Sequence, residues 1–454
     1  MALTETISVQ TVRRETQHFR LVFTERAWVE LVEFLRNNPD APRICSAGIN
    51  GQGRCTELLV SGVQQTFELP ARVTVVGAES AGQLREAVHR VISQSSGQGI
   101  HAVLAVGRQG ASGRLAGACL QGNRMALLSA IRIVGGGLPE IPLGESPGIV
   151  PWSLPATSAE RDVWSRSIGA LGGETAWRRL TCLSMVVIGC GRSGSLVATA
   201  LARLGVRHLT LVDPDRVETH NLGEMDLVRA SKRGDFKVYA VSEELERLQE
   251  GIGASSARRL KVEPIAEPVS SLRALEAAKR ADLLVACVDD EAARLAAAVL
   301  AKLYLKPLLD IGSGVFQTPG NQQQAGADVR LVMPEACLLC VGGLNNLAVA
   351  RARLIAGQDV DTLADWREHR AGSLRSLNML AVGFGLRLVE ALAAGRLGES
   401  AWVRVEFDAR GLPRLEMRSP LSSRNCPLCR HGGWGDDGPR MGVATLLHER
   451  DGAR

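Results

Sequence analysis

The stretch Leu183-Ser184-Met185-Val186-Val187-Ile188-Gly189-Cys190-Gly191-Arg192-Ser193-Gly194 joins an uncharged apolar run to a glycine-rich turn. The apolar run predicts a strand buried on both faces, and a helical pattern from Ser193 to Leu204 follows the turn. Such a turn lets the backbone approach a phosphate, which the N–H groups at the helix start can bind. Glycine turns also cap helices for steric reasons alone, but the strand before and the helix after favour a nucleotide site. The predicted nucleotide-binding glycines are Gly189, Gly191 and Gly194.

The chain beyond this turn alternates between apolar runs and helical patterns. We predict further strands at 209–213, 283–289 and 307–311, and helices at about 235–249 and 291–304. Strands that alternate with helices indicate an α/β fold, here a doubly wound Rossmann-like sheet. Asp213 ends the second strand, about twenty residues after the glycines, where it could bind a ribose hydroxyl. Up to this point an NAD-dependent dehydrogenase fits the pattern as well as an ATP-using enzyme does.

Two Cys-x-x-Cys pairs lie downstream of the glycine turn. Each pair can wrap a metal ion with one tight turn, and four thiolates close a tetrahedral shell, so we predict structural Zn²⁺ that joins distant parts of the chain. A pair of redox dithiols is the alternative, although neither pair starts a helix after a strand as redox motifs do. The predicted ligands are Cys337, Cys340, Cys426 and Cys429; the other six cysteines are expected to be mostly core residues.

Three segments follow the glycine turn in a fixed order: 213–222 (Asp-Pro-Asp-Arg-Val-Glu-Thr-His-Asn-Leu), then Lys237, then 287–290 (Cys-Val-Asp-Asp). They resemble the signature of the ThiF/MoeB/HesA family, the ubiquitin-activating-enzyme-like adenylyltransferases. That signature has D-x-D-x-V-x-x-x-N-L, then G-x-x-K, then D-N or D-D. Upstream, residues 161–168 are similar to the family's R-Y-x-R-Q-I segment. The resemblance covers about 158–430 and places Asp213 and Asp215 in the nucleotide site.

The resemblance implies an enzyme that uses ATP and Mg²⁺ to adenylate the C-terminal carboxylate of a ubiquitin-like or sulfur-carrier protein. In it Lys237 and Asn221 would contact phosphate oxygens, where negative charge accumulates in the transition state. Asp289 would hold Mg²⁺, or position Lys237 and the attacking carboxylate. Arg166 would reach across a homodimer interface towards the γ-phosphate. Taken singly, Lys237 could be a solvated helix lysine and Asp289 a strand-end cap; the ordered set favours the site.

The chain departs from the family pattern shortly after Asn221-Leu222. The family usually has an Arg followed by a Gln there, whereas this chain has Glu224 and Met225 after Gly223. Loss of a phosphate-facing cation should weaken phosphate stabilisation unless another basic side chain reaches in. The candidates are Arg229, Lys232 and Arg233. A non-catalytic ATP-binding adaptor is therefore the main alternative to an enzyme.

A second departure concerns the thioester cysteine that some family members carry. No cysteine lies between 341 and 425, and Ser373 and Ser376 occupy the corresponding stretch. We therefore expect this protein to stop at the acyl-adenylate or to pass it directly to an acceptor.

The composition limits the other classes of function. Hydrophobic residues make up 45% of the 454 residues and charged residues 22%, as in an ordinary globular protein, and the net charge is only +5. Without a dense basic stripe we expect no nucleic-acid partner. The N-terminus lacks a secretory pattern, and charges interrupt the apolar stretch 377–395, so we expect no membrane association and a cytoplasmic protein.

Residues 1–134 are predicted to form a smaller α+β accessory domain that binds a partner or supports a dimer. We predict strands at 18–23, 57–61, 72–76 and 101–106, and helices at 25–37 and 81–94. A Gly- and Pro-rich linker (135–157), the adenylyltransferase-like domain with its zinc site (158–430) and a flexible tail (431–454) complete the expected organisation.

One stretch of this first domain, 99–108, loosely resembles the strand that carries the H-x-H-P metal motif of JAB/MPN isopeptidases. Residues 105–108 stand where the two histidines would be, and 112–115 lack the expected Asp. A domain of that fold would thus be degenerate and unable to bind the catalytic zinc. The simpler reading of His101 is a single polar residue that opens an apolar strand.

Overall fold

The computed structural model describes most of the chain, with gaps. The described residues are 18–38, 41–52, 55–63, 69–78, 86, 90, 99–107, 115–122, 124–143, 155–252, 259–317, 323–344, 350, 374–408, 410–418 and 426–441. The predicted helix at 81–94 and Ser373 lie outside these residues, apart from positions 86 and 90. The chain divides into two compact units: Met1–Phe23, Ala27–Arg132 and Glu140–Gly148 form the first, and the remainder forms the second.

The first unit is built on one eight-stranded sheet. Its strands are β1 (His18–Thr24), β2 (Arg43–Gln52), β3 (Cys55–Val60), β4 (Ala71–Ala78), β5 (Ile100–Gly107), β6 (Leu115–Gln121), β7 (Arg124–Val134) and β8 (Glu140–Pro142). Their order is β1-β3-β2-β4-β5-β6-β7-β8, and β1 also pairs with β7, which closes the sheet on itself. Such closure leaves few edge groups unpaired. Helix α1 (Glu25–Asn37) buries the face with Trp28, Leu31 and Leu35, as its apolar spacing predicts.

The second unit contains another eight-stranded sheet, with order β11-β10-β9-β12-β13-β14-β15-β16. Its first five strands are parallel: β9 (Ser184–Ile188), β10 (His208–Val212), β11 (Lys261–Ile265), β12 (Leu283–Ala286) and β13 (Leu308–Gln317). The helices around them are α2 (Ser158–Leu171), α3 (Glu174–Cys182), α4 (Arg192–Leu204), α5 (Lys237–Ile252), α6 (Leu272–Arg280) and α7 (Glu291–Leu303). This is the doubly wound α/β fold that the sequence predicts.

The other half of this sheet is antiparallel. β13 pairs with β14 (Gln323–Val332), which pairs with β15 (Ala401–Phe407), and β16 (Pro413–Arg418) forms the edge. Helix α8 (Arg375–Ala393) packs on β13, β14 and α4. By length and hydropathy, α8 is the one described helix that could cross a membrane. Its packing on the sheet is that of a core helix.

Two predicted boundaries need correction. The linker predicted at 135–157 contains β8, because Ala130–Arg132 of β7 offers backbone partners to Glu140–Pro142. The flexible tail predicted at 431–454 is wrong for residues 431–441, which have defined structure. Cys429–His431 form a 3₁₀ turn, and a short helix α9 (Asp437–Met441) follows. The His431 and Trp434 rings pack edge to face with centroids 4.6 Å apart. This segment therefore makes aromatic contacts that its overall composition does not predict.

Candidate nucleotide site and metal centre

The glycine turn lies where the strand order of the second sheet reverses. β9 is flanked by β10 on one side and β12 on the other, and the chain leaves β9 into the turn and α4. A crevice at the carboxyl ends of the strands forms at such a switch point and is the usual ligand site of doubly wound folds. Gly189 has φ +88°, and a Cβ there would lie 2.7 Å from the Cys287 carbonyl oxygen. A Cβ on Gly191 would meet nothing within 4 Å, so the turn is open on that side.

Asp213 fixes the turn. Its Oδ2 accepts a hydrogen bond from the backbone N–H of Cys190 at 2.6 Å, and its Oδ1 accepts one from the N–H of Asp215 at 2.8 Å. Burial raises the pKa of Asp213, although the nearby Lys237 ammonium opposes this. Both carboxylate oxygens thus have backbone partners. The ribose contact predicted for Asp213 would have to share these oxygens, and it stays a prediction.

Lys237, the first residue of α5, points back to this carboxylate group. Its Nζ donates to Oδ2 of Asp215 at 2.7 Å, and its side chain is 13% exposed, so it is not a freely solvated lysine. Burial alone lowers the pKa of Lys237, but the charges of Asp213, Asp215 and Asp289 raise it above its ordinary value. The structure therefore brings Lys237 and three predicted acidic residues into one electrostatic group at the turn.

The other predicted site residues have different surroundings. Asn221 is buried, and its Oδ1 accepts the N–H of Glu218 at 2.9 Å in a short 3₁₀ turn. Asp289 is exposed, whereas its neighbour Asp290 is the N-cap of α7 and accepts the N–H of Ala293 at 2.7 Å. Arg166 is exposed on α2. Its contact across a dimer interface stays a prediction.

Glu224 faces a cation that the sequence analysis missed. Its Oε2 lies 3.3 Å from Nε of Arg192, the first residue of α4, while Met225 is buried. Two of the basic residues expected to reach the phosphates are held by acids of α5. Arg229 donates to Glu244 at 2.7 Å, and Lys232 pairs with Glu243. Arg192 lies within the glycine turn itself, at a variable position of the motif.

The four predicted cysteine ligands come together in the second unit. Their sulfurs all lie within 4.8 Å of one another, and the Cys337–Cys426 and Cys340–Cys429 pairs are each 3.5 Å apart. A tetrahedron with Zn–S bonds of about 2.3 Å needs sulfurs about 3.8 Å apart, so the cluster fits a metal of that size. Hydrogen bonding among the four thiols lowers the pKa of Cys426 and raises the pKa of Cys337 and of Cys429, so without a metal the cluster favours one shared thiolate. Among the residues that the structure describes, this is the group in which three or more Cys, His, Asp or Glu ligand atoms lie close enough together to hold a metal ion.

The region that contains the glycine turn also matches a known protein family. A model of the ThiF family matches residues 164–350, which include the glycine turn, Lys237, Asp289 and the first cysteine pair. The chain carries a ThiF family domain.

Several relatives match part of this chain. The bovine adenylyltransferase and sulfurtransferase MOCS3 is 30% identical over 139 residues, which is 31% of this chain and 29% of the relative. Adenylyltransferase and sulfurtransferase uba4 of Aspergillus niger is 32% identical over 143 residues, 32% of this chain and 28% of the relative. The chain thus spans less than a third of the length of these relatives.

Solved structures with a similar chain course include E. coli MccB with ATP, at 17% identity and a TM-score of 0.44 over 62% of this chain and 77% of that chain. A structure of PaaA has 16% identity and a TM-score of 0.44 over 62% of this chain and 79% of that one.

A second residue missed by the sequence analysis supports the cysteine cluster from within the ThiF domain. Lys302 of α7 is 6% exposed, and its Nζ donates to the carbonyl oxygens of Pro334 and Ala336, just before Cys337. Its own carbonyl oxygen accepts the N–H of Gly433 at 3.1 Å, just after the second cysteine pair. Lys302 therefore joins the two ligand segments and brings a positive charge to them. A helix lysine among alanines gives no sequence signal for this role.

In the first unit, His101 lies on β5 beside β4. Its Nε2 is 2.8 Å from Oγ1 of Thr74, and burial together with Arg72 lowers its pKa. These contacts agree with a polar residue that opens an apolar strand. The JAB/MPN resemblance stays a prediction, and residues 108–114 lie outside the described part of the chain.

Proposed function

We propose that this protein uses ATP and Mg²⁺ to adenylate the C-terminal carboxylate of a ubiquitin-like or sulfur-carrier protein. One observation carries the proposal: Lys237 is paired with Asp215, and both adjoin Asp213 at a glycine turn on the switch point of a doubly wound sheet. The ThiF match and the relatives named adenylyltransferases support this choice over an NAD-dependent dehydrogenase.

The chemistry needs positive charge near the phosphates. A carboxylate oxygen of the partner attacks the α-phosphorus of ATP, and a new P–O bond forms as the bond to pyrophosphate breaks. The products are an acyl-adenylate and pyrophosphate, and negative charge accumulates on the phosphate oxygens in the transition state. Lys237, whose pKa is raised by its acidic neighbours, stays protonated at neutral pH and can offset that charge. Asn221 would contribute a side-chain amide donor, a role that rests on the family resemblance.

The acidic residues suit a hard cation. Asp215 is 64% exposed beside Lys237, and Asp289 is exposed beyond β12. Both carboxylates are therefore accessible to Mg²⁺, which prefers oxygen ligands. When bound, Mg²⁺ would supply charge neutralisation at the phosphates. Asp289 would hold it, or would orient Lys237 and the incoming carboxylate.

The proposal includes a structural zinc ion and a homodimer. Four cysteine sulfurs at tetrahedral spacing support zinc bound by Cys337, Cys340, Cys426 and Cys429. With all four positions taken by thiolates, the metal would stabilise the fold and take no part in the reaction. Arg166, exposed on α2, would act on the nucleotide of a second subunit. We further propose that the protein acts in the cytoplasm and that residues 1–134 recruit a partner.

A second function, an ATP-binding adaptor without catalysis, is favoured by one observation. Glu224 places a carboxylate 3.3 Å from Arg192 at the start of α4, where it opposes bound phosphate. An adaptor would bind ATP but would form no pyrophosphate.

Exchange of labelled pyrophosphate into ATP separates these functions. We expect exchange that depends on a carrier protein with a free C-terminal carboxylate, and none with the same carrier amidated at its C-terminus. ATP binding without exchange for any carrier with a free Gly-Gly terminus would support the adaptor. Binding of a nicotinamide nucleotide in place of ATP would overturn both.

A further inference from the structure

The ion pair between Arg192 and Glu224 lies at the proposed phosphate site. Arg192 follows Gly191, the N-cap of α4. Because glycine has no side chain, it cannot cap the N–H groups of the first helical turn. The guanidinium Nε and the Glu224 Oε2 are 3.3 Å apart, and the two side chains are 30% and 31% exposed. The pair is thus accessible to solvent and beside the helix end that attracts anions.

The backbone around Glu224 is held on both sides. Arg375, the first residue of α8, donates to the Glu224 carbonyl oxygen at 3.2 Å and to Oδ1 of Asp226 at 2.7 Å. The N–H of Asp226 donates to Oγ of Ser195 in α4 at 2.8 Å. These contacts keep the loop against α4, so the Glu224 carboxylate is positioned at Arg192 by the fold.

A carboxylate in this position offsets the partial positive charge at the N-terminus of α4, as a phosphate would. Anions are stabilised near the N-terminus of a helix, and an arginine beside it strengthens that preference. A triphosphate carries more negative charge than one carboxylate, so it can displace Glu224 from Arg192. An uncharged nucleoside has no means to do so.

We propose that Arg192 binds the phosphates of the nucleotide and that Glu224 is the stand-in anion which the phosphates displace. The pair makes the site selective for nucleotides with several phosphates over the nucleoside. This inference rests on the nucleotide site of the proposed function and adds to it the residues that determine phosphate selectivity.

The test measures the binding of ATP and of adenosine by calorimetry, without a carrier protein. The variants are Arg192→Gln, Arg192→Lys and Glu224→Gln. The matched control is Arg273→Gln, which removes an exposed arginine that also lies 3.3 Å from a carboxylate, that of Glu267.

Loss of Arg192 should weaken ATP binding about tenfold or more, the effect of one charge-assisted hydrogen bond, and leave adenosine within about twofold. Arg192→Lys should recover part of the loss, and Glu224→Gln should tighten ATP binding severalfold with no change for adenosine. Arg273→Gln should match the wild type.

Three results would contradict the proposal. If Arg192→Gln binds ATP within about twofold of wild type, or weakens ATP and adenosine equally, Arg192 does not select phosphates. If Glu224→Gln weakens ATP binding, its carboxylate is not a competitor. Wild-type protein that binds neither ligand would overturn the nucleotide site itself, a failure distinct from these.

Discussion

The backbone N–H of Cys190 lies 2.6 Å from Oδ2 of Asp213, so a carboxylate after β10 determines the shape of the glycine turn after β9. The other oxygen, Oδ1, accepts the N–H of Asp215, whose side chain holds Lys237. One buried carboxylate therefore links the turn, the acidic segment and the lysine.

This link predicts the effect of Asp213→Asn. An amide keeps one acceptor oxygen but turns an NH₂ group towards the other N–H donor, which costs about 1–3 kcal/mol of unfolding free energy. Removal of a buried charge raises the unfolding free energy, but we expect the unsatisfied N–H donor to have the larger effect. We expect urea denaturation to show a less stable protein, with the exposed Asp162→Asn as control. A variant as stable as wild type would mean that the hydrogen bonds do not fix the turn.

The cysteine cluster predicts about one zinc per chain by elemental analysis. Cys337→Ser or Cys429→Ser should remove the metal and lower the melting temperature of the second unit strongly, because structural zinc contributes on the order of 10 kcal/mol to folding. Cys182→Ser, outside the cluster, should retain metal and stability. Metal-free wild-type protein with undiminished thermal stability would refute the site.

Lys302 should raise the zinc affinity of this site although it is not itself a ligand. Lys302→Met keeps much of the side chain's volume but removes the donor to Pro334 and Ala336 and the charge near the thiolates. We expect zinc affinity, measured by competition with a chelator, to fall about 10- to 100-fold. The zinc affinity of Lys302→Arg should fall less, because the positive charge is kept. Unchanged affinity in Lys302→Met would show that the ammonium only fills space.

How much of this could be predicted from the sequence differs between the two halves of the second sheet. Four of the five parallel strands were predicted because each is an apolar run next to a helical pattern, as at Leu183–Ile188. The fifth, β11, was not, because Lys261 and Glu263 interrupt its apolar residues. The antiparallel strands β14, β15 and β16 were not predicted, because charged residues interrupt their segments and their partners lie far away in the chain. β16, for example, pairs Met417 with Val403 but exposes both faces widely.

The same contrast holds in the site. Lys237, Asp213 and Asp289 were predicted from an ordered motif, and the structure groups them. Arg192 was not, since position four of the glycine motif accepts many residues and its partner Glu224 lies in another loop. Lys302 was missed for a similar reason: its partners are backbone carbonyl oxygens, which no sequence pattern marks.

The absence of a cysteine between 341 and 425 predicts that no acyl thioester forms on this chain. Burial raises the pKa of both Cys190 and Cys287, the thiols nearest the turn, so neither is an exposed thiolate. Protein incubated with ATP, Mg²⁺ and a carrier should give no thiol-sensitive adduct on a non-reducing gel. Such an adduct would identify an active cysteine that we have misread.

The central claim is that Lys237 and Asp289 stabilise charge during adenylation, and pyrophosphate exchange with variants of each tests it most directly. Lys237→Ala and Asp289→Ala should each lower carrier-dependent exchange by about 10²-fold or more, with melting temperatures near wild type. The controls Lys261→Ala and Glu263→Gln, both on exposed positions of β11, should exchange at the wild-type rate. Exchange within about twofold of wild type in both Lys237→Ala and Asp289→Ala would contradict the account.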